Sequence, residues 1–474
     1  MTELLTRSLA GGSIRFIESL LSAAPTLLVG VLIAGVFRYY LGHAGTRRLF
    51  GGTSLRSLPQ SWAVGMLLPV CSIGVIPILI EMRRSKLKPG AISAFALSAP
   101  LFNPLSLLYG VTLSRPYVIL MFAFASLVVV TMVGIIWDIV SRQKEATAND
   151  DTSQDRSDDD SIGLRRLWNL IAYVGRQLVG PVGAWTLIAA AGVALLAAVL
   201  PWGALGMAME RDDLRAPSTM AAVAIPAYAT PMLAMSQLGM MFQHANSPGA
   251  AFVLLVIGAG VNLGTVSWMA RHFGVRSVCI WLGSLLMIVL ALAYAVNKPL
   301  VPPGVEPSGH THAFDIYSNP IHPTITNYAQ LAKQKLGEKF GLVEKICVSL
   351  FGILALAGLI SRFVQNWPAP APKAAGVEIG SEPLRFDRIV SPQIVGGTML
   401  AGLIAISIVM CYAFYPSPEE CLKEIRFIRS EVISAARSGD ADHAEFWIPQ
   451  WDEWTRRMEV GAFIRRGHVT PYQR

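Results

Sequence analysis

At 474 residues the chain could hold several soluble domains, but it is 53% hydrophobic and only 15% charged, which excludes the ordinary soluble class. The formal net charge of +8 does not point to nucleic acid, because the basic residues gather at the ends of apolar runs (Arg47, Arg48 and Arg56; Arg83, Arg84, Lys86 and Lys88). Anionic headgroups and the positive-inside bias account for them there, and no nucleic-acid partner is expected.

Ten apolar stretches have spanning length, at about 14–36, 61–82, 90–112, 117–140, 171–200, 218–241, 249–270, 277–296, 343–361 and 394–414. The fold class is therefore an all-α polytopic membrane protein, expected in the plasma membrane with the lipid bilayer as its first partner. The first run lacks a small-residue cleavage site and reads as a retained helix. Residues 1–142 are expected to form the first of two repeats. Helix one contains Pro25 and is followed by a loop carrying Arg38, Arg47, Arg48 and Arg56 without an acid.

The stretch Pro69 to Pro104 comes next, an apolar run broken by Pro69, Gly74 and Pro77, a basic turn, and a second run broken at Asn103-Pro104. Each proline removes a donor and frees a carbonyl that hydrocarbon cannot satisfy, so such breaks belong beside protein or a water-filled cavity. The pattern returns later in the chain, with Pro226 and Pro231 breaking the first run. Pro89-Gly90-Ala91 and Pro248-Gly249-Ala250 open the second runs, and Asn103 and Asn262 each follow their proline by fourteen positions. Broken apolar segments at matching places in two halves point to a transporter's central site. If 61–82 and 218–241 re-enter rather than cross, each half has three crossings and the halves are inverted. Charge counting favours re-entry, and crossing stays open as the alternative.

Residues 143–162 are a polar, acidic linker unable to bury enough apolar surface to fold. Residues 163–296 form the second repeat. The loop 297–342 carries His310, His312, His322 and Asp315. His310, His312 and Asp315 make a fair imidazole/carboxylate set for zinc or copper, weighed against an exposed loop with incidental histidines. Two further membrane helices occupy 343–415 without a counterpart in the repeat. The soluble tail 416–474 opens on Ser417-Pro418-Glu419-Glu420, a capping box with proline at the first helical position. Gly439-Asp440 ends that helix, and a second one carries Trp447, Trp451 and Trp454. The pair reads as a hairpin packed on itself or lying at headgroup level, with partner docking as the other reading.

The polar residues near the breaks are neutral, and Cys71, Ser72, Asn103, Tyr228, Thr230 and Asn262 are the expected pathway residues. Helices begun at the two Pro-Gly turns carry each asparagine ~21 Å along its axis at ~1.5 Å per residue, well inside a hydrocarbon core of ~30 Å. Glu81 and Asp138 read as segment-end residues, explained by snorkelling. A thiol beside a proline break could hold a soft electrophile, although a lone apolar cysteine is more often an inert small hydrophobe. Five cysteines (Cys71, Cys279, Cys347, Cys411, Cys421) contain no CxxC pair, so no disulfide framework follows. No Walker-type loop, triad spacing or HExxH helix is present, and neither an enzyme nor a cofactor is expected.

LPVCSIGVIPI followed by GAISAFALSAPLFNP resembles the predicted-permease family that includes the ArsP-type organoarsenical efflux permeases, over roughly residues 10–296. The matching positions are Pro69, Cys71, Ser72, Pro77, Pro100, Asn103 and Pro104. The resemblance implies a duplicated helical permease and, for the characterised branch, export of trivalent organoarsenicals. Where family members often show Cys-Ser-Cys, this chain has Cys71-Ser72-Ile73 and keeps one thiol. The expected function is a permease for a small solute or metalloid, as a homo-oligomer or with a soluble partner. The rival reading is a non-transporting membrane subunit that anchors such a partner through the tail and the His loop.

Overall fold

The computed structural model describes residues 2–52, 54, 56–68, 70–102, 116–145, 164–205, 209–227, 230–243, 246–300, 314–325, 327–339, 341–366, 398, 402, 405, 409 and 415–466. Every regular element among them is helical. Five helices are long and apolar enough to cross a membrane, and a sixth crossing results if one bent pair counts as a span.

The first span joins α1 (Thr2–Val36), a π-helical turn (Phe37–Leu41) and α2 (Gly42–Leu49). The stretch 61–82 does not form one helix. It divides into α3 (Ser57–Leu67) and α4 (Ile76–Arg84). Leu68 turns extended before Pro69, and Pro77 occupies the first turn of α4, where its missing N–H costs nothing. A tight turn at Lys86 leads into α5 (Pro89–Ser98), and α6 (Pro116–Glu145) follows.

The second part of the chain has the same order. α7 (Leu164–Val179) and α8 (Pro181–Val199) together make a span. α9 (Ala216–Ala224) and α10 (Pro231–Gln243) flank the break at Pro226. α11 (Pro248–Val253) continues through a second π-helical turn (Leu254–Ala259), and a 58° bend at the break leads into α12 (Leu263–Phe273). α13 (Val275–Asn297) closes this part.

Contacts fix which end of the bundle each piece occupies. Arg47 Nε donates to the Ser85 carbonyl at 2.7 Å, and Arg38 lies 3.6 Å from Glu81, so the α4–α5 turn sits at the C-terminal end of α1. The start of α3 is at that end too, because Leu58 packs at Gly134 on α6 and Gly134 in turn meets Gly90. Midway along, Gly65 of α3 lies against Ser98 and Ala99 of α5. α3 therefore enters and α4 returns at one end, which we call the basic end after Arg38, Arg47, Arg83 and Arg84. The α10–α11 turn lies at the opposite end, where the Ser247 amide donates to the Met209 carbonyl at 3.2 Å. α9 starts at that end too, since Tyr294 of α13 donates to the Leu214 carbonyl at 2.8 Å, near Asn297 which holds Gly249, so 61–82 and 218–241 turn back within the bundle as re-entrant hairpins from opposite ends.

α1 packs along α8, with Gly12 against the Ala194 carbonyl. A buried core including Phe95, Phe122, Trp137, Phe252, Trp268 and Trp281 joins both parts of the chain. Exposed Leu120, Phe124, Ile139 and Met287 form the outward face that suits lipid. α14 (Tyr328–Lys339) precedes α15 (Leu342–Asn366), which docks on α7 where Gly175 and Gly358 leave backbone against backbone.

In the tail, α16 (Pro418–Ser438) begins with the expected capping box, Ser417 to Glu420, and ends at Gly439 in the left-handed region, φ 72°. Ile425 and Cys421 pack against Trp451 and Trp454 of α17 (Ala441–Arg466), so the hairpin packs on itself. The expected stretch 394–414 lies almost wholly outside the described residues.

Candidate substrate pathway

The two breaks place their residues in a buried setting. Cys71 is fully buried at the turn before α4, and its sulfur accepts from the Thr26 hydroxyl of α1 at 2.9 Å and from the Gly74 amide at 3.3 Å. α1 approaches this turn so closely that a Cβ on Gly74 would stand 2.6 Å from the Thr26 carbonyl. Ser72 is also fully buried, and its Oγ has no hydrogen-bond partner among the described residues. At the second break Asn262 caps α12 in a reciprocal box with Thr265, its Oδ1 accepting from the Thr265 amide at 2.9 Å. That box leaves Asn262 Nδ2 buried and without a partner. An unanswered buried donor is costly enough to need an explanation.

Thr230 Oγ1 accepts from the Leu233 amide at 3.3 Å, so this expected pathway residue starts α10. Pro226, Pro231 and Gly74 lie at the breaks as expected. Asn103, Tyr228, Pro69 and Pro104 lie outside the described residues.

Contacts recur at one fixed offset, the interval between Pro89 and Pro248. The Gly90 amide donates to Asp138 Oδ1 at 2.7 Å, and the Gly249 amide to Asn297 Oδ1 at 3.0 Å, each bond spanning 48 positions. Cys71 accepts from the amide three residues on, as Thr230 does, and these two sites are one offset apart. Trp281 Nε1 donates to Ser93 Oγ at 2.7 Å, while the positions equivalent to those two, Phe122 and Phe252, stack edge to face at 5.2 Å. Leu101 meets Gly260, which is its own equivalent. A residue touching its own counterpart marks the place where a two-fold axis would pass.

Other polar groups were read differently from sequence. Glu81 is not a snorkelling residue: it is 3% exposed, and its Oε1 takes the Tyr173 hydroxyl of α7 at 2.5 Å and Arg84 at 2.8 Å, with Arg38 at 3.6 Å. The only signal for this was an acid inside an apolar run, and its partners Arg38 and Tyr173 are remote in sequence. Asp138 holds the start of α5. Downstream of α13, residues 317–321 of the expected open loop form a buried strap, while the described residues 322–325 and 327–337 are partly or fully exposed. Tyr317 donates to Gln237 of α10 at 3.0 Å, the Asn319 amide to the Leu200 carbonyl at 3.0 Å, and Asn319 Nδ2 to the Arg7 carbonyl at 3.2 Å. His310 and His312 lie outside the described residues, as does the side chain of Asp315, whose backbone forms a short 3-10 turn (Asp315–Tyr317). No cluster of metal ligands occurs among the described residues.

Comparison with known proteins places this arrangement. The UPF0718 protein YcgR of Bacillus subtilis (strain 168) is 23% identical over 283 residues, covering 58% of this chain and 93% of that protein. No solved structure matches. The profile of the family ArsP_1, predicted permease, matches residues 13–298, which take in both hairpins and exclude the strap, α15 and the tail. This multi-pass membrane chain belongs to the predicted-permease family.

Proposed function

We propose that the chain moves a small solute by alternating access of two inverted halves, 1–142 and 163–296, with the solute held where the two breaks meet. The recurrence of contacts at one offset supports the duplication, and hairpins entering from opposite ends support the inversion. The observation that carries the site is the pair of buried, unpartnered polar atoms, Ser72 Oγ and Asn262 Nδ2, one at each break. Cys71 supplies a soft sulfur beside the first, and Thr230 stands at the start of α10. A soft, trivalent organoarsenical suits a neutral site with one thiol, and the direction is efflux. The basic end faces the cytoplasm, following the positive-inside bias.

The test is uptake of trivalent methylarsenic into everted vesicles carrying the wild-type chain, Cys71→Ser, Asn262→Ala or no protein. Uptake that needs the chain and falls in both variants supports the site. Uptake unchanged in Cys71→Ser removes the thiol and keeps the permease. Wild-type uptake no greater than in empty vesicles removes the arsenical.

A further inference from the structure

The basic end is closed by a charged contact that crosses from one half to the other. Glu81 ends the segment that carries Cys71, and Arg38 follows α1, so both belong to the first half; Tyr173 is on α7 of the second. The Tyr173 hydroxyl donates to Glu81 at 2.5 Å, the Arg38 guanidinium lies over the Tyr173 ring at 5.1 Å, and Tyr39 meets the same ring edge to face at 5.9 Å. Arg84 adds a bond to the carboxylate from its own helix at 2.8 Å. Beside the contact, Phe37, Arg38, His43, Glu81, Arg84 and Ser85 line a small recess. On its inner side, Cys71, Leu170, Tyr173 and Val174 share one buried apolar cluster. Cys71 is thus packed in the same cluster as Tyr173, the residue that meets Glu81.

We propose that Glu81 is the gate residue of the basic end. Parting the halves there must break the Glu81–Tyr173 bond and strip the Arg38 guanidinium from the Tyr173 ring. The chemistry suits a closure that must open repeatedly. Desolvating a carboxylate and guanidinium offsets most of their attraction, so the closed pair and the open, hydrated groups lie close in free energy. An apolar closure of the same area would instead have to expose its whole face to water each time it opened. Glu81 acts as a positioning residue, through the separation of α4 from α7, and touches no solute.

The inference rests on the two-half permease reading, so its test measures opening separately from transport. In the full chain with Cys279, Cys347, Cys411 and Cys421 replaced by alanine, Cys71 is the one thiol. Its alkylation by a membrane-impermeant maleimide is timed in everted and in right-side-out vesicles. Glu81→Gln should speed labelling at least about tenfold in everted vesicles alone, because one partner of a buried charged contact has gone. Tyr173→Phe keeps the ring and loses only the hydroxyl, and should speed it about threefold. Glu81→Asp should restore slow labelling. Parental rates in both Glu81→Gln and Tyr173→Phe overturn the gate, as does acceleration from both sides, which indicates general loosening. Methylarsenic uptake on the same vesicles separates the two readings. Uptake with parental labelling in the variants sinks the gate alone, whereas side-specific acceleration without uptake keeps the gate and sinks the substrate.

Discussion

The two re-entrant hairpins share a frame and differ at their rims. Each is followed by a helix that begins with Pro-Gly-Ala, has its glycine amide held by a side chain of the next long helix, and packs against the other half. The first hairpin is closed at its rim by Glu81, two arginines and Tyr173. The second is closed by the strap, where Tyr317 meets Gln237 through neutral groups. The frame lies within the family match and the strap outside it. Like contacts therefore surround the two breaks, and unlike chemistry closes each end.

The harshest way to break the comparison is to fill the shared glycines. A Cβ on Gly90 would stand 2.7 Å from the Asp138 carboxyl carbon, and one on Gly249 would stand 2.5 Å from the Ala293 carbonyl. Gly90→Val and Gly249→Val should each lower the yield of monodisperse protein by about tenfold. A normal yield from one and not the other would deny that the two positions are equivalent.

Milder is removal of the side chains that hold those glycine amides. Asp138→Ala and Asn297→Ala should each cost about 1 kcal/mol, as lost helix caps do, and lower the Tm in detergent by similar amounts. Asp138→Asn should stay near the wild type, since Asn297 already does the same work with an amide. A large loss in Asp138→Asn would make the carboxylate's charge essential and the two caps unlike.

The smallest effect belongs to the neutral rim. Tyr317→Phe should cost about 1 kcal/mol, for one buried hydrogen bond. Burial raises the Tyr317 phenol above its ordinary 10.0. The sign follows: stability from a raised phenol is fully present below pH about 10 and is lost as pH climbs toward the higher folded value. The Tm gap between wild type and Tyr317→Phe should stay constant from pH 7 to about 10 and narrow above it. A gap that closes below pH 9 would show that the phenol is not held neutral.

The breaks were legible because proline and glycine favour a local consequence: Pro77 and Pro231 sit in the first turn of their helices, and Pro248-Gly249 opens one. The capping box at Ser417 was legible for the same reason. Glu81 was misread because, beside Arg84 of its own helix, it is covered by Arg38 and Tyr173, which are far off in sequence. The strap was misread because its polar composition looked like a solvated loop, and burial there depends on Gln237, Leu200 and Arg7 from three other helices. Asn262 was chosen for its depth and its proline offset, while its cap and its unpartnered Nδ2 depend on how α12 begins.

Sequence by itself determined that this is a helical membrane protein, where its helices break, and which neutral residues stand at the breaks. Those features rest on apolar run length and on backbone chemistry local to each residue. Tertiary structure alone decided that the broken stretches turn back, which end each hairpin enters, and what seals it. Re-entry is a matter of which distant helix ends share one end of the bundle, and Glu81 is buried where Arg38 and Tyr173 reach it from distant parts of the chain.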